Sequence, residues 1–250
     1  MDNSLQAPFF KFLKRTVAGS LLCTGVLVAA SMERKEGEVK TYVDQNLEQL
    51  IQEQEETLNI AYPQARPPVQ YSLPPEKKMY GASGLYDYEN NVIYLRSSFL
   101  DPPEWDLDIA KETLHHELGH YYMDTLSERL VNHNYPYYPD AMPLTEMLGI
   151  KLVSEGTASY IERRMNGEQE DTFNDDDWPK NIQGFFFHPL LPFLRPEIIY
   201  GGGFHLVKPI IDQHGEWGIQ YLIFNTPTEQ ELFTLPLYQQ RILEELSRDE

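Results

Sequence analysis

His116 and His120 stand four residues apart in the run His116-Glu117-Leu118-Gly119-His120. In a helix that spacing puts both imidazoles on one face, about one turn from each other. Two imidazoles so placed can reach a single metal ion, and zinc accepts imidazole nitrogen at ~2.0–2.1 Å. Glu117 follows the first histidine by ~100° of helix rotation, so its carboxylate sits beside the ion without ligating it. His115 points ~100° the other way and belongs to the surroundings of the site or to the surface. The pattern demands a helix, and the flanks supply one. Pro102-Pro103-Glu104-Trp105 stops what precedes, and Asp106 or Asp108 can cap the new helix. The helix runs to about Val131, with Ile109, Leu114, Leu118 and Tyr121 on an apolar side. Gly119 is unfavourable inside a helix by ~1 kcal/mol against Ala, which implies close approach of another backbone there.

Two histidines leave a zinc ion under-coordinated, since catalytic sites use three protein ligands and one open position. Cysteine cannot fill the gap, because the chain's one cysteine is Cys23, in an apolar stretch far upstream. The best candidate is Glu155, in Ser154-Glu155-Gly156-Thr157-Ala158-Ser159-Tyr160, on a helix expected from Pro143 to Met165. Gly156 and Ala158 are small, as a helix crossing close to a metal requires. Glu162, seven residues on, competes for the same role.

The charge balance excludes one class of partner. Acidic residues outnumber basic ones by 39 to 20, for a net charge of −19. Non-specific binding to nucleic acid needs a positive field, which this chain lacks.

Residues 1–30 read as an address. Lys11, Lys14 and Arg15 precede the uncharged run Thr16 to Ala30, and Val28-Ala29-Ala30 fits a small-x-small cleavage site. A helix of ~15 residues spans ~22 Å, short of the ~30 Å hydrocarbon core. Either a cleaved signal peptide or an N-terminal membrane anchor results, the anchor using residues 9–30 as a tether. Both readings put the rest of the chain outside the cytoplasm, secreted or facing outward.

Three divisions follow: the leader at 1–30, an amphipathic helical segment at 31–62 and the main domain at 63–250. In residues 33–60, Val39, Val43, Leu47, Leu50, Ile51 and Leu58 recur with helical period, so one stripe packs onto something. Prolines then punctuate an extended stretch with a candidate strand from Val69 to Leu73. Met79 to Arg96 reads as a hairpin turning at Glu89-Asn90-Asn91. The C-terminal third carries a helix near Gly203 to His214, kinked or interrupted at Pro209. Another lies near Trp217 to Phe224, and a last one starts near Tyr238. The class is α+β, with a small sheet and a mostly helical remainder.

HELGH followed by a helix bearing SEGTASY resembles the gluzincin metallopeptidases. The resemblance is strong over about 105–165, weaker over 196–240, and follows only the order of elements over 68–100. It implies a zincin-like catalytic domain, with a hairpin edge strand packed on the active-site helix, that hydrolyses peptide bonds with one Zn2+ ion. It makes His116, His120 and Glu155 the zinc ligands and Glu117 the general base. It makes Val92, Ile93, Tyr94 and Leu95 the sheet edge on which an extended peptide adds as a strand. Tyr200 is its first choice for a transition-state donor and His205 its second. There is a departure. Thermolysin-like enzymes place an acid four residues after the ligand glutamate, and here that residue is Ser159. Ser159, Glu162 or another group must then orient the histidine. Two other readings compete: a catalytically inactive metal-binding relative acting as an envelope binding module, and a latent peptidase whose 33–60 helix blocks the cleft. A non-peptide amide substrate also stays open.

Overall fold

The computed structural model describes residues 34–63, 65–71, 83–95, 106–131, 142–167, 178 and 196–249. Residues 1–30, expected as a leader, residues 72–82, the expected stop at Pro102–Trp105 and the segments expected as loops after Val131 and after Gly167 lie outside these. The chain is mostly helical with one small sheet, in keeping with an α+β class. Among the described residues no helix is long and apolar enough to cross a membrane.

Helix α1 (residues 34–58) buries the stripe read from its periodicity, with Val39, Val43, Leu50 and Ile51 in the core. It ends as a helix with an αL cap should. Asn59 takes φ 52°, and the Ile60 amide reaches back to the Glu55 carbonyl at 3.2 Å. Gln54, on the same stripe, is fully buried and reaches helix α2 (Leu107–Val131), donating to the His115 carbonyl at 3.1 Å. Tyr62 completes this junction, its hydroxyl donating to the Leu118 carbonyl at 3.0 Å. Helix α1 therefore lies behind α2, and none of its residues lines the cleft described below. A helix over 33–60 that blocks the cleft is one expectation from the sequence; among the described residues α1 sits on the far side of α2 from it.

Helix α2 starts at the cap expected of Asp106, whose carboxylate accepts from the amides of Asp108 (3.0 Å) and Ile109 (3.2 Å). Residues 114–127 are buried apart from His120, which is half-buried. The helix is thus covered on nearly every face, which an apolar stripe on one side does not capture.

The sheet packs on α2. Strands β1 (Val69–Gln70), β2 (Gly84–Asp87) and β3 (Val92–Leu95) lie in the order β1-β3-β2. The hairpin turns where its asparagines predict, with Asn91 at φ 53° and the Asn90 amide bonded to the Asp87 carbonyl. The expected edge is corrected. Val92, Ile93, Tyr94 and Leu95 form the central strand, buried throughout, because β1 pairs in parallel with its far side. The edge that faces the cleft is β2.

Helix α3 (Leu144–Met165) crosses α2 where Gly119 meets Ala158; a Cβ on Gly119 would lie 2.9 Å from the Ala158 Cα. It crosses helix α4 (Pro196–Phe224) where Gly156 meets Gly203, and a Cβ on Gly203 would lie 2.5 Å from the Leu152 carbonyl oxygen. Both crossings bring backbone onto backbone. Helix α4 breaks at Gly215, whose φ is 55° and ψ −132°, between the two segments expected to end at His214 and to start at Trp217, but it stays helical through Pro209, where a kink or interruption is expected. Proline deprives the carbonyl four residues earlier of its donor, and that carbonyl is His205. Gln239, on helix α6 (Leu235–Asp249), donates to it at 2.8 Å instead. Helix α5 (Glu229–Leu232) opens with a capping box between Thr228 and Glu231.

Candidate functional site

The crossing of α2 and α3 builds the site. His116 and His120 project from one face of α2, their rings 4.9 Å apart between centroids. Glu155 projects from α3 between them. One oxygen, Glu155 Oε2, lies 3.3 Å from His116 Nε2 and 3.4 Å from His120 Nε2. Nitrogen and oxygen atoms of the three residues all fall within 4.8 Å of one another, a group that could hold a metal ion.

The remaining ring nitrogens decide what the Nε2 atoms can do. His116 Nδ1 lies 2.9 Å from Glu162 Oε2, and His120 Nδ1 lies 3.1 Å from Ser154 Oγ. Glu162 as a carboxylate only accepts, so His116 donates from Nδ1, and in its neutral form it keeps the Nε2 lone pair for a ligand; a bound ion would take the place of the Nε2 proton that the surrounding carboxylates otherwise favour. The Ser154 hydroxyl can accept from His120 Nδ1, which would leave His120 Nε2 equally placed for a ligand. Outer partners of this kind orient metal-binding histidines and raise their basicity. Of the two groups expected to compete for that orienting role, Glu162 is the one in hydrogen-bond reach of His116 Nδ1, and both Ser159 and Glu162 line the cleft. The donor set fits a divalent ion: two imidazoles, each with its Nδ1 engaged, one carboxylate and no cysteine.

Beside this group opens a cleft of about 590 Å³, walled by residues of β2, α2, α3 and α4. Glu117 lies in its wall and is buried. Burial raises its proton affinity; the nearby His116 and His120 pull the other way, and the net direction is upward. Burial disfavours charge on His116, but hydrogen bonds to Glu155 and Glu162 and the charges around it outweigh that and hold its pKa well above the histidine range. Glu155 is held well below the carboxylate range, because the two histidines overcome the cost of its burial. Tyr200, from the start of α4, sets its ring against His116 at 5.5 Å between centroids. The charge of Glu155, then burial, then Glu117 and Glu162 push its phenol far upward, so it stays a hydrogen-bond donor.

The residues singled out from sequence divide clearly. His116, Glu117, His120, Glu155 and Tyr200 meet in one cleft. His205 does not line it: five residues beyond Tyr200, it is turned ~140° away on the same helix. Val92–Leu95 are buried behind β2. His115 is buried, with Nδ1 2.9 Å from Gln54 Nε2, and belongs to the α1–α2 junction. Sequence reading missed Ser154, although a serine beside the candidate ligand in a run of buried residues was a usable signal. It also missed Gly84 and Tyr86, for which the sequence offered none.

No family model matches the chain, and neither a curated protein nor a solved structure matches it significantly.

Proposed function

We propose that this chain is a zinc-dependent peptidase of the gluzincin kind, with a zincin-like catalytic domain. The observation that carries the reading is the convergence of both Nε2 atoms on one Glu155 oxygen while both Nδ1 atoms are engaged elsewhere. Three protein ligands of types N, N and O are the pattern of catalytic rather than structural zinc. A bound zinc ion supplies Lewis acidity and lowers the pKa of a coordinated water toward ~7. His116, His120 and Glu155 hold the ion, and Glu162 and Ser154 hold the histidines. The Glu117 carboxylate takes a proton from the attacking water and returns it to the leaving amine, a contribution of ~10²–10⁴ in rate. Its raised proton affinity suits a group that must both accept and give. The Tyr200 phenol donates to the oxygen that gains charge at the scissile carbonyl.

The edge of β2, which pairs with no further strand among the described residues, supports a peptide as substrate. Ile93 donates its amide to Pro68 on the β1 side at 3.0 Å, so the facing pair Tyr86–Ile93 does not exchange hydrogen bonds. The backbone groups of Tyr86, and of Gly84 two residues earlier, therefore point to the cleft, where an extended chain can add as a further strand. The same reading takes residues 1–30 as an export segment and puts the activity outside the cytoplasm. Glu117→Ala tests it. The variant should bind zinc like the wild type and lose cleavage of a general substrate such as casein; wild-type cleavage by that variant rejects the reading.

A further inference from the structure

The proposed mechanism leaves the charge of Arg163 unused. Among the described residues that line the cleft, Arg163 is the one lysine or arginine, against the carboxylates of Glu112, Glu117, Glu155 and Glu162. It is half-buried, and its guanidinium carbon lies 4.2 Å from the centroid of the Phe204 ring. Phe204 is buried on α4, one helical turn past Tyr200, and stacks on the Tyr160 ring at 6.3 Å between centroids. Tyr160 in turn donates its hydroxyl to Asp212 Oδ1 at 2.8 Å. The arginine therefore rests on an aromatic platform that is itself held from behind. Stacking uses the face of the guanidinium. Its five N–H donors lie in the plane of the group, and one protein partner does not exhaust them. Arg163 also belongs to the last turn of α3, where any cation is favourable, but Arg164 meets that need outside the cleft.

We infer that Arg163 binds a carboxylate of the substrate and so sets where the chain is cut. The inference rests on the peptidase reading and names part of its substrate. The planar donors of a guanidinium match the two oxygens of a carboxylate, and a stacked group loses little freedom in making the pair. Apart from the ion's own open position, the rest of the wall has the wrong sign, since its four glutamates repel a negative group. Attraction at one point and repulsion elsewhere fix a register. Arg163 lies eight residues past Glu155, ~12 Å along α3, and helical side chains lean back toward the N-terminus. An extended chain advances ~3.3 Å per residue, so the carboxylate belongs to a residue within about three of the scissile bond. An acidic side chain or the C-terminus of the substrate supplies it.

The test uses the full-length zinc-loaded protein and fluorogenic peptides blocked at both ends. Each parent carries glutamine at one of the three positions on either side of the cut, and its twin carries glutamate there. A further set keeps the glutamine and frees the C-terminal carboxylate. For the wild type, kcat/KM should favour the carboxylate twin about tenfold in one set, as a charge-assisted hydrogen bond gives. That set identifies the source, side chain or chain end. Arg163→Met keeps an apolar stem over Phe204 and removes the charge, and the preference should fall to within twofold of unity. A purely structural arginine would lower both twins alike and leave the preference standing. Should Arg163→Met fail to fold, Arg163→Gln makes the same comparison. Equal cleavage of all twins by the wild type, or a preference that survives loss of the charge, overturns the inference and leaves the peptidase reading standing. A zinc-loaded wild type that cleaves no peptide sinks that reading, and this inference with it.

Discussion

His115 and His116 are neighbours in the chain, both buried, and meet opposite surroundings. His116 faces α3 and is ringed by Glu155, Glu162 and Glu117, which hold its pKa well above the usual range. His115 faces α1, where burial lowers its pKa to about 4 against weaker opposing charges. One helical step separates a ring that gathers carboxylates from one tied to the amide of Gln54. The same contrast runs along α2. Its front, with His116, Glu117 and His120, is polar and opens to a cleft. Its rear, with His115, Leu118 and Tyr122, is sealed by Gln54 and Tyr62, whose ring tilts against Tyr122 at 5.2 Å. The rear holds the helix against α1; the front carries the proposed chemistry. Residue type alone distinguishes neither role.

If the faces differ in this way, substitutions on them must separate activity from stability. Replacing the ligand by Glu155→Ala should have the largest effect, abolishing stoichiometric zinc binding and hydrolysis together, as metal analysis and a peptide assay would record. Glu162→Ala should keep the zinc site but cost ~10–100-fold in zinc affinity or rate, since it removes the partner that orients His116. Ser154→Ala should act in the same direction at the small end of that range, because a hydroxyl is a weaker acceptor than a carboxylate. At the rear, Gln54→Leu should leave the kcat of the folded enzyme unchanged and destabilise the fold by ~1–3 kcal/mol, because it strips buried partners from His115 and Tyr62. Urea unfolding read by circular dichroism measures that. A rear-face variant that cut kcat while leaving stability intact would break the division.

The contrast also bears on how much the sequence disclosed. The front was legible because helix geometry ties residues four apart to one face whatever surrounds them. Glu155 was legible because the following helix had to return along α2, and its small neighbours marked a close crossing. Asp106 and the asparagine turn of the hairpin were local features, read from local chemistry. The strand order was not local. It depends on Val69–Gln70 pairing with β3 from more than twenty residues upstream, and that moved the cleft edge from Val92–Leu95 to Gly84–Asp87. The path of α4 failed for a similar reason. Pro209 leaves the His205 carbonyl without its helical donor, and Gln239 meets it from α6. Both errors came from partners distant in the chain.

The central claim is that His116, His120 and Glu155 close on one ion. Titration of the metal-free protein with zinc, followed by calorimetry for the wild type and for His120→Ala and Glu155→Ala, tests it most directly. The account predicts one tight equivalent for the wild type and loss of that equivalent in both variants. A wild type that binds no zinc, or a Glu155→Ala protein that binds it equally well, would contradict the account.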